Sequence, residues 1–207
     1  PQEILPHIRE AELLMVHLAP VPHDLLEQAS KLKVIASTRG GTENVDLAAA
    51  SARGIAVISN PAHNANAVAE LTVALMIAET RNIVRSHSSL RSGSWREEYP
   101  LSGRIPELRG STVGIVGFGS IGRRVAELLQ ALGAALLVYD PYVNPDRSRS
   151  EGVRPCSLSE LLSKSRIVTL HARVSPTEPP LIGAAELEHM QEEAYLINTA
   201  RAGAVDM

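Results

Sequence analysis

One cysteine, Cys156, is all that the 207 residues contain, which excludes an internal disulfide framework and a metal cluster built on cysteine ligands. Long apolar runs are missing too. Stretches such as "TVALMIA" at 72–78 fall far short of the roughly 20 residues needed to span a bilayer. Neither sign of charge dominates: 20 basic against 23 acidic residues leave −3, mixed along the length, so no polybasic segment invites nucleic acid or a membrane surface. There is no basic, apolar and cleavable leader. These absences predict a cytoplasmic protein whose partners are small molecules and other protein chains. The chain also lacks an initiator methionine, opening at Pro1 directly into a helix-like stretch, and is therefore expected to be a fragment. What remains is 44% hydrophobic, enough to bury a core.

Short Val/Ile/Leu runs alternate with longer stretches of helical spacing. Strands are predicted at 13–18, 33–38, 56–60, 112–118, 135–140, 166–172 and 194–199. Near-continuous apolar runs of this kind suit strands buried on both faces of a parallel sheet. Helices are predicted at 22–30, 47–54, 66–83, 121–133, 157–165 and 184–190, with Ser157 and Glu160 in a capping-box pattern and Gly54 and Gly133 at C-terminal ends. Strict alternation argues for an α/β fold with right-handed crossovers. It breaks once, between Arg85 and Arg109, where Ser, Gly, Pro and charge mix without period around Trp95, the only tryptophan. That stretch reads as a linker or, given Trp95, an arm that packs on something else.

In "VGIVGFGSIGRRVAELLQALGAALLVYDP" the glycines Gly117, Gly119 and Gly122 form G-x-G-x-x-G between an apolar strand and an amphipathic helix. A second apolar strand follows, and Asp140 stands at its end, 18 residues past Gly122. This context is that of a dinucleotide fingerprint. Gly117 permits the tight turn, Gly119 lets the backbone approach a pyrophosphate, and Gly122 lets helix and strand pack closely. The helix N-terminus favours the negative charge. A carboxylate at Asp140 accepts from the ribose hydroxyls of NAD and repels the extra phosphate of NADP, so NAD is the expected cofactor.

Beyond the fingerprint, the chain resembles the D-isomer-specific 2-hydroxyacid dehydrogenase family, its phosphoglycerate dehydrogenase-like members above all. The likeness rests on "STRGGTENVDLAAASARGIAVISNP" (37–61), "NANAVAELTVALMIAETRNI" (64–83), "LHARVSPTEPPLIG" (170–183) and "LINTARAG" (196–203), in order and at similar spacing. It implies two Rossmann-like doubly wound parallel-sheet domains. Residues 1–60 would be the remnant of an incomplete flavodoxin-like substrate domain, and 61–207 an NAD-binding domain, incomplete at its end, that carries the crossing helix and dimer arm. It also implies that Ser120 and Ile121 contact the pyrophosphate, that Ala172, Thr199, Ala200 and Arg201 line the nicotinamide half, and that Gly40 and Gly41 offer N–H groups to a substrate carboxylate. Arg201 matches the catalytic arginine. A 2-oxo acid presents a carboxylate beside a carbonyl, and a guanidinium fork grips the first while polarising the second. The implied partners are a 2-oxo or 2-hydroxy acid and a second copy in a homodimer, and no metal.

Several positions depart from the family pattern: Arg39 in the glycine loop, Ala202 after the arginine, and Gln191 to Glu193 in place of a Lys-Pro-Gly turn. His171, at a strand end that touches cofactor through backbone, is read as structural. The family's acid/base histidine and its glutamate partner are expected beyond Met207, and neither His63 nor Glu70 is assigned to those roles. The expected activity is hydride transfer between NAD(H) and a 2-oxo acid. An NAD(H)-sensing binding protein or corepressor on the same scaffold, or a catalytically silent fragment, are the alternatives.

Overall fold

A computed structural model of the chain describes residues 4–95, 98–99, 101, 103, 105–174 and 179–206. Parts of two sequence features fall outside these residues: positions 175–178 of the 170–183 motif, and positions 96, 97, 100, 102 and 104 of the stretch around Trp95. The chain divides into two compact units, residues 1–63 and 64–207.

The first unit holds helix α1 (Leu5–Ile8), strand β1 (Leu13–Val16), α2 (His23–Gln28), β2 (Val34–Ser37), α3 (Leu47–Ala52) and β3 (Ala56–Ile58). The three strands are parallel in the order β1-β2-β3. Leu14, Val16 and Ile35 point to one face and bury against Ile8, Leu25, Leu26, Ala49 and Ala50. Alternate residues face outward, with Leu13 55%, Met15 66% and Ile58 55% exposed. Burial on both faces, expected from the apolar runs, thus does not hold here among the described residues, because the helices gather on a single face. Asp46 caps α3 by accepting from the Ala49 N–H at 2.9 Å.

The second unit holds α4 (Ala65–Thr80), α5 (Ile83–Arg91), β4 (Thr112–Val116), α6 (Ser120–Ala131), β5 (Ala135–Tyr139), α7 (Pro145–Ser150), β6 (Arg154–Pro155), α8 (Leu158–Lys164), β7 (Ile167–Leu170), α9 (Ala184–His189), β8 (Tyr195–Asn198) and a 3-10 turn, Ala202–Ala204. Its five parallel strands run β6-β5-β4-β7-β8. Here both faces are covered. Val113, Ile115, Leu136, Val138, Ile167 and Ile197 pack under α4 and α6 through Ala69, Val73, Met76, Val125 and Leu129. On the other side Val116, Leu137, Val168 and Leu170 meet Leu161 and Leu162 of α8. This is a doubly wound sheet, and its strand order reverses between β4 and β7.

Two local outcomes differ from the sequence reading. The helix expected over 66–83 ends at Thr80 because Asn82 adopts a left-handed conformation (φ 53°), after which the chain restarts as α5 inside the stretch read as irregular. Trp95 is 74% exposed. The capping box is half formed: Ser157 Oγ accepts from the Glu160 N–H at 3.2 Å. The Glu160 carboxylate turns instead to Lys164 and Arg154; the hydrogen bond from Lys164, followed by the positive charge of both, holds its pKa below the usual value. The left-handed residues expected after α3 and α6 are Gly54 (φ 67°) and Gly133 (φ 79°).

Candidate active site

The strand-order reversal places the ends of β4 and β7 beside each other, and the glycine turn fills that fork. Gly117, at φ 93°, leaves β4 so close to β7 that a Cβ would lie 2.4 Å from the Ala172 nitrogen. The same absence of a side chain at Gly122 lets α6 rest on the turn, since a Cβ there would lie 2.2 Å from the Gly117 carbonyl oxygen. Gly119 is different: nothing lies within 4 Å of where its Cβ would be. Its glycine leaves open space rather than relieving a clash inside the protein. Gly119 is also the N-cap of α6, and no side chain caps that terminus. The N–H groups of Ser120 and Ile121 precede the first intrahelical bond, that from Arg123 N–H to the Gly119 carbonyl at 3.0 Å. An uncapped twelve-residue helix opening onto a bare glycine suits an oxyanion of a pyrophosphate.

Asp140, at the end of β5, faces this turn. One carboxylate oxygen accepts from the Phe118 N–H at 2.7 Å and the other from the Tyr142 N–H at 2.9 Å. Each retains a lone pair for a further donor such as a ribose hydroxyl. The carboxylate thus also ties the turn after β4 to the turn after β5, a role the sequence alone did not reveal. The turn is braced again by Arg123, whose guanidinium lies 4.5 Å from the Phe118 ring centroid and pairs with Glu151. Beyond Asp140 opens a cavity of about 280 Å³ between β5, α7 and β6, lined by Val138, Val143, Ser148, Pro155 and Cys156. Burial and the neighbouring Glu160 raise the Cys156 thiol pKa, so the thiol stays protonated.

At the end of β7, the His171 N–H donates to the Val116 carbonyl at 2.7 Å, and its Nε2 lies 3.0 Å from Thr169 Oγ1. Burial pushes the imidazole pKa down to about 4. A neutral, hydroxyl-bonded ring of this kind fits the structural reading. At the end of β8, Thr199, Ala200 and Arg201 form one loop pinned by Asn198, whose Oδ1 accepts from the Ala200 N–H at 3.0 Å and whose Nδ2 donates to the Arg201 carbonyl at 2.9 Å. Arg201 is exposed and has no carboxylate partner among the described residues; its Nη1 donates to the Ala200 carbonyl at 3.0 Å. The second unit therefore presents Gly117–Gly122, Asp140, Ala172 and Thr199–Arg201 at the carboxyl ends of successive strands, where open parallel sheets bind ligands.

In the first unit Gly40 and Gly41 follow β2. Ser37 Oγ donates to the Gly41 carbonyl at 3.2 Å, and the Asn60 N–H donates to the Arg39 carbonyl at 2.9 Å. The N–H groups of Gly40 and Gly41 have no partner among the described residues. Glu43 folds its carboxylate onto Gly41 and lies 4.0 Å from the Arg39 guanidinium.

A doubly wound sheet with a glycine turn at its fork and a carboxylate on the neighbouring strand end defines a dinucleotide-binding α/β protein. The D-isomer specific 2-hydroxyacid dehydrogenase, NAD binding domain family model matches residues 73–207. The chain belongs to that family. It is 36% identical over 208 residues to a D-3-phosphoglycerate dehydrogenase of Methanocaldococcus jannaschii, covering 99% of this chain and 39% of that protein. With a glycerate dehydrogenase of Methylorubrum extorquens it is 37% identical over 213 residues, covering 100% of this chain and 64% of that protein. Among solved structures, a D-lactate dehydrogenase from Aquifex aeolicus complexed with NAD and lactic acid is similar at a TM-score of 0.84 and 30% identity, covering 98% of this chain and 60% of that one. The chain thus spans less than two thirds of these relatives. No helix among the described residues is long and apolar enough to cross a membrane, and no cluster of His, Cys, Asp and Glu suited to a metal occurs among them.

Proposed function

We propose that this chain is the cofactor-binding and electrophile-bearing part of a cytoplasmic NAD-dependent D-2-hydroxyacid dehydrogenase. The reaction interconverts a 2-oxo acid, NADH and a proton with a D-2-hydroxy acid and NAD. The observation that carries the reading is the fork between β4 and β7: an uncapped helix N-terminus behind Gly119, flanked by Asp140 on one side and by the Arg201 loop on the other. In it the N–H groups of Ser120 and Ile121 hold the pyrophosphate, and Asp140 accepts from the ribose. Ala172, Thr199 and Ala200 line the nicotinamide half.

Bound there, NADH supplies the hydride. Arg201 holds the substrate carboxylate and stabilises the charge that grows on the carbonyl oxygen; as a permanently charged guanidinium it contributes field, not the proton. In the first unit, the Gly40 and Gly41 N–H groups are able to donate to a carboxylate, the role that the family resemblance implies for them. A homodimer is supported by the apolar side chains that α4, α5 and the following segment leave in solvent, Leu71, Ile83, Val84, Leu90 and Trp95, all at least 50% exposed.

The test follows NADH absorbance with glyoxylate and larger 2-oxo acids. Turnover by the whole dehydrogenase is expected, with kcat/KM reduced on the order of 10²–10³-fold by Arg201→Gln. Tight NADH binding with no turnover of any 2-oxo acid would instead support an NAD(H)-sensing protein or a catalytically silent fragment.

A further inference from the structure

Thr72 is wholly buried in the middle of α4, a position where a hydroxyl needs partners. It has two. Its Oγ1 donates to the Val68 carbonyl one turn back at 2.7 Å, and it lies 2.9 Å from Thr199 Oγ1, 127 residues away at the end of β8. A threonine hydroxyl carries one proton. With that proton committed to Val68, the proton between the two threonines belongs to Thr199. The chain therefore runs from Thr199 to Thr72 to Val68, each hydroxyl polarising the next. Thr199 is left with lone pairs only, so toward a ligand it is an acceptor.

Thr199 is also the residue from which the Arg201 loop departs. On one side of it Asn198 grips both Ala200 and Arg201. On the other side its one side-chain hydrogen bond among the described residues runs to Thr72 in the helix layer. We propose that Thr72 is a positioning residue for Arg201: its hydroxyl anchors Thr199 to α4, sets the place of the Arg201 loop above the sheet, and orients Thr199 to accept from a donor on the ligand. The inference rests on the dehydrogenase reading for its catalytic consequence and on the hydrogen-bond chain alone for its structural one.

Thr72→Val is nearly isosteric, keeps the branched side chain and leaves the Val68 carbonyl its helical partner, so only the link is removed. Thr72→Ser keeps the hydroxyl. The three proteins are compared by amide hydrogen exchange over residues 196–206 without ligand, and by kcat and KM for glyoxylate and NADH. The valine variant is expected to exchange faster by about tenfold over the Thr199 to Gly203 segment, with β4 and α6 unchanged. Its kcat is expected to fall by about tenfold while KM for NADH stays within about twofold. Serine should restore both. Unchanged exchange in the valine variant, or faster exchange with unchanged kcat, overturns the proposal. If exchange responds as expected but even the wild-type protein turns over no 2-oxo acid, the anchor stands and the dehydrogenase reading fails.

Discussion

Lowering the pH from 7 to 5 is expected to weaken the second unit through one imidazole, that of His171. Its folded pKa is depressed from 6.5 to about 4 because burial disfavours the charged ring. Between those two values the unfolded chain binds a proton that the folded chain does not, so stability falls as pH falls. The contribution is intact above pH 6.5, is lost progressively below it, and reaches its full cost only below pH 4. Integrating the two titrations gives a loss of about 2 kcal/mol at pH 5 relative to pH 7, and about 3 kcal/mol at pH 4. The assay is urea unfolding followed by circular dichroism at pH 7 and pH 5, for wild type and His171→Gln. Glutamine keeps a side-chain amide near Thr169 Oγ1 but does not titrate. The variant is expected to lose about 2 kcal/mol less than wild type over this interval. The ring C–H resonance that disappears in the variant should titrate near pH 4. A midpoint above pH 6, with no difference between the proteins in urea, would refute the argument.

Two further outcomes follow from the glycine turn. Gly122→Ala drives a methyl against the Gly117 carbonyl oxygen, a fixed backbone atom, and is expected to destabilise by about 1–3 kcal/mol in urea, with or without cofactor. Asp140→Ala removes the acceptor of the Phe118 N–H, which lies beside a ring that is 1% exposed, and is expected to cost about 1–3 kcal/mol of stability in the absence of any ligand, besides erasing the preference for NADH over NADPH. A stable Asp140→Ala protein would show that the carboxylate serves the ribose alone.

Where the sequence was legible, the signal was local. The apolar runs of β4, β5 and β7, the glycine spacing, the Ser157 cap and the left-handed Gly54 and Gly133 each follow from residues within a few positions of one another. The elements that escaped are short or polar. Strand β6 is Arg154–Pro155 and exists only by pairing with β5; α7 reads "PDRSRS", with no apolar stripe; α5 carries too few apolar residues to show a period. In the first unit the runs promised two buried faces where one is observed, because hydrophobicity alone does not reveal how many layers cover a sheet. At the site, single residues were legible as donors and acceptors, but not their pairings. Asp140 with Phe118 and Thr72 with Thr199 are contacts that only the fold brings together.

The central claim is that the open space at Gly119 and the bare start of α6 receive the cofactor's pyrophosphate. It is tested most directly by titrating NADH fluorescence against wild type and Gly119→Ala, with urea midpoints measured in parallel. A methyl at Gly119 touches nothing in the protein, so the midpoint should not move. It would occupy the space assigned to the ligand, so NADH binding, saturable in wild type, should weaken by about tenfold or more, equivalent to about 1.4 kcal/mol. NADH that fails to saturate the wild-type protein, or binds the alanine variant equally well, would contradict the account.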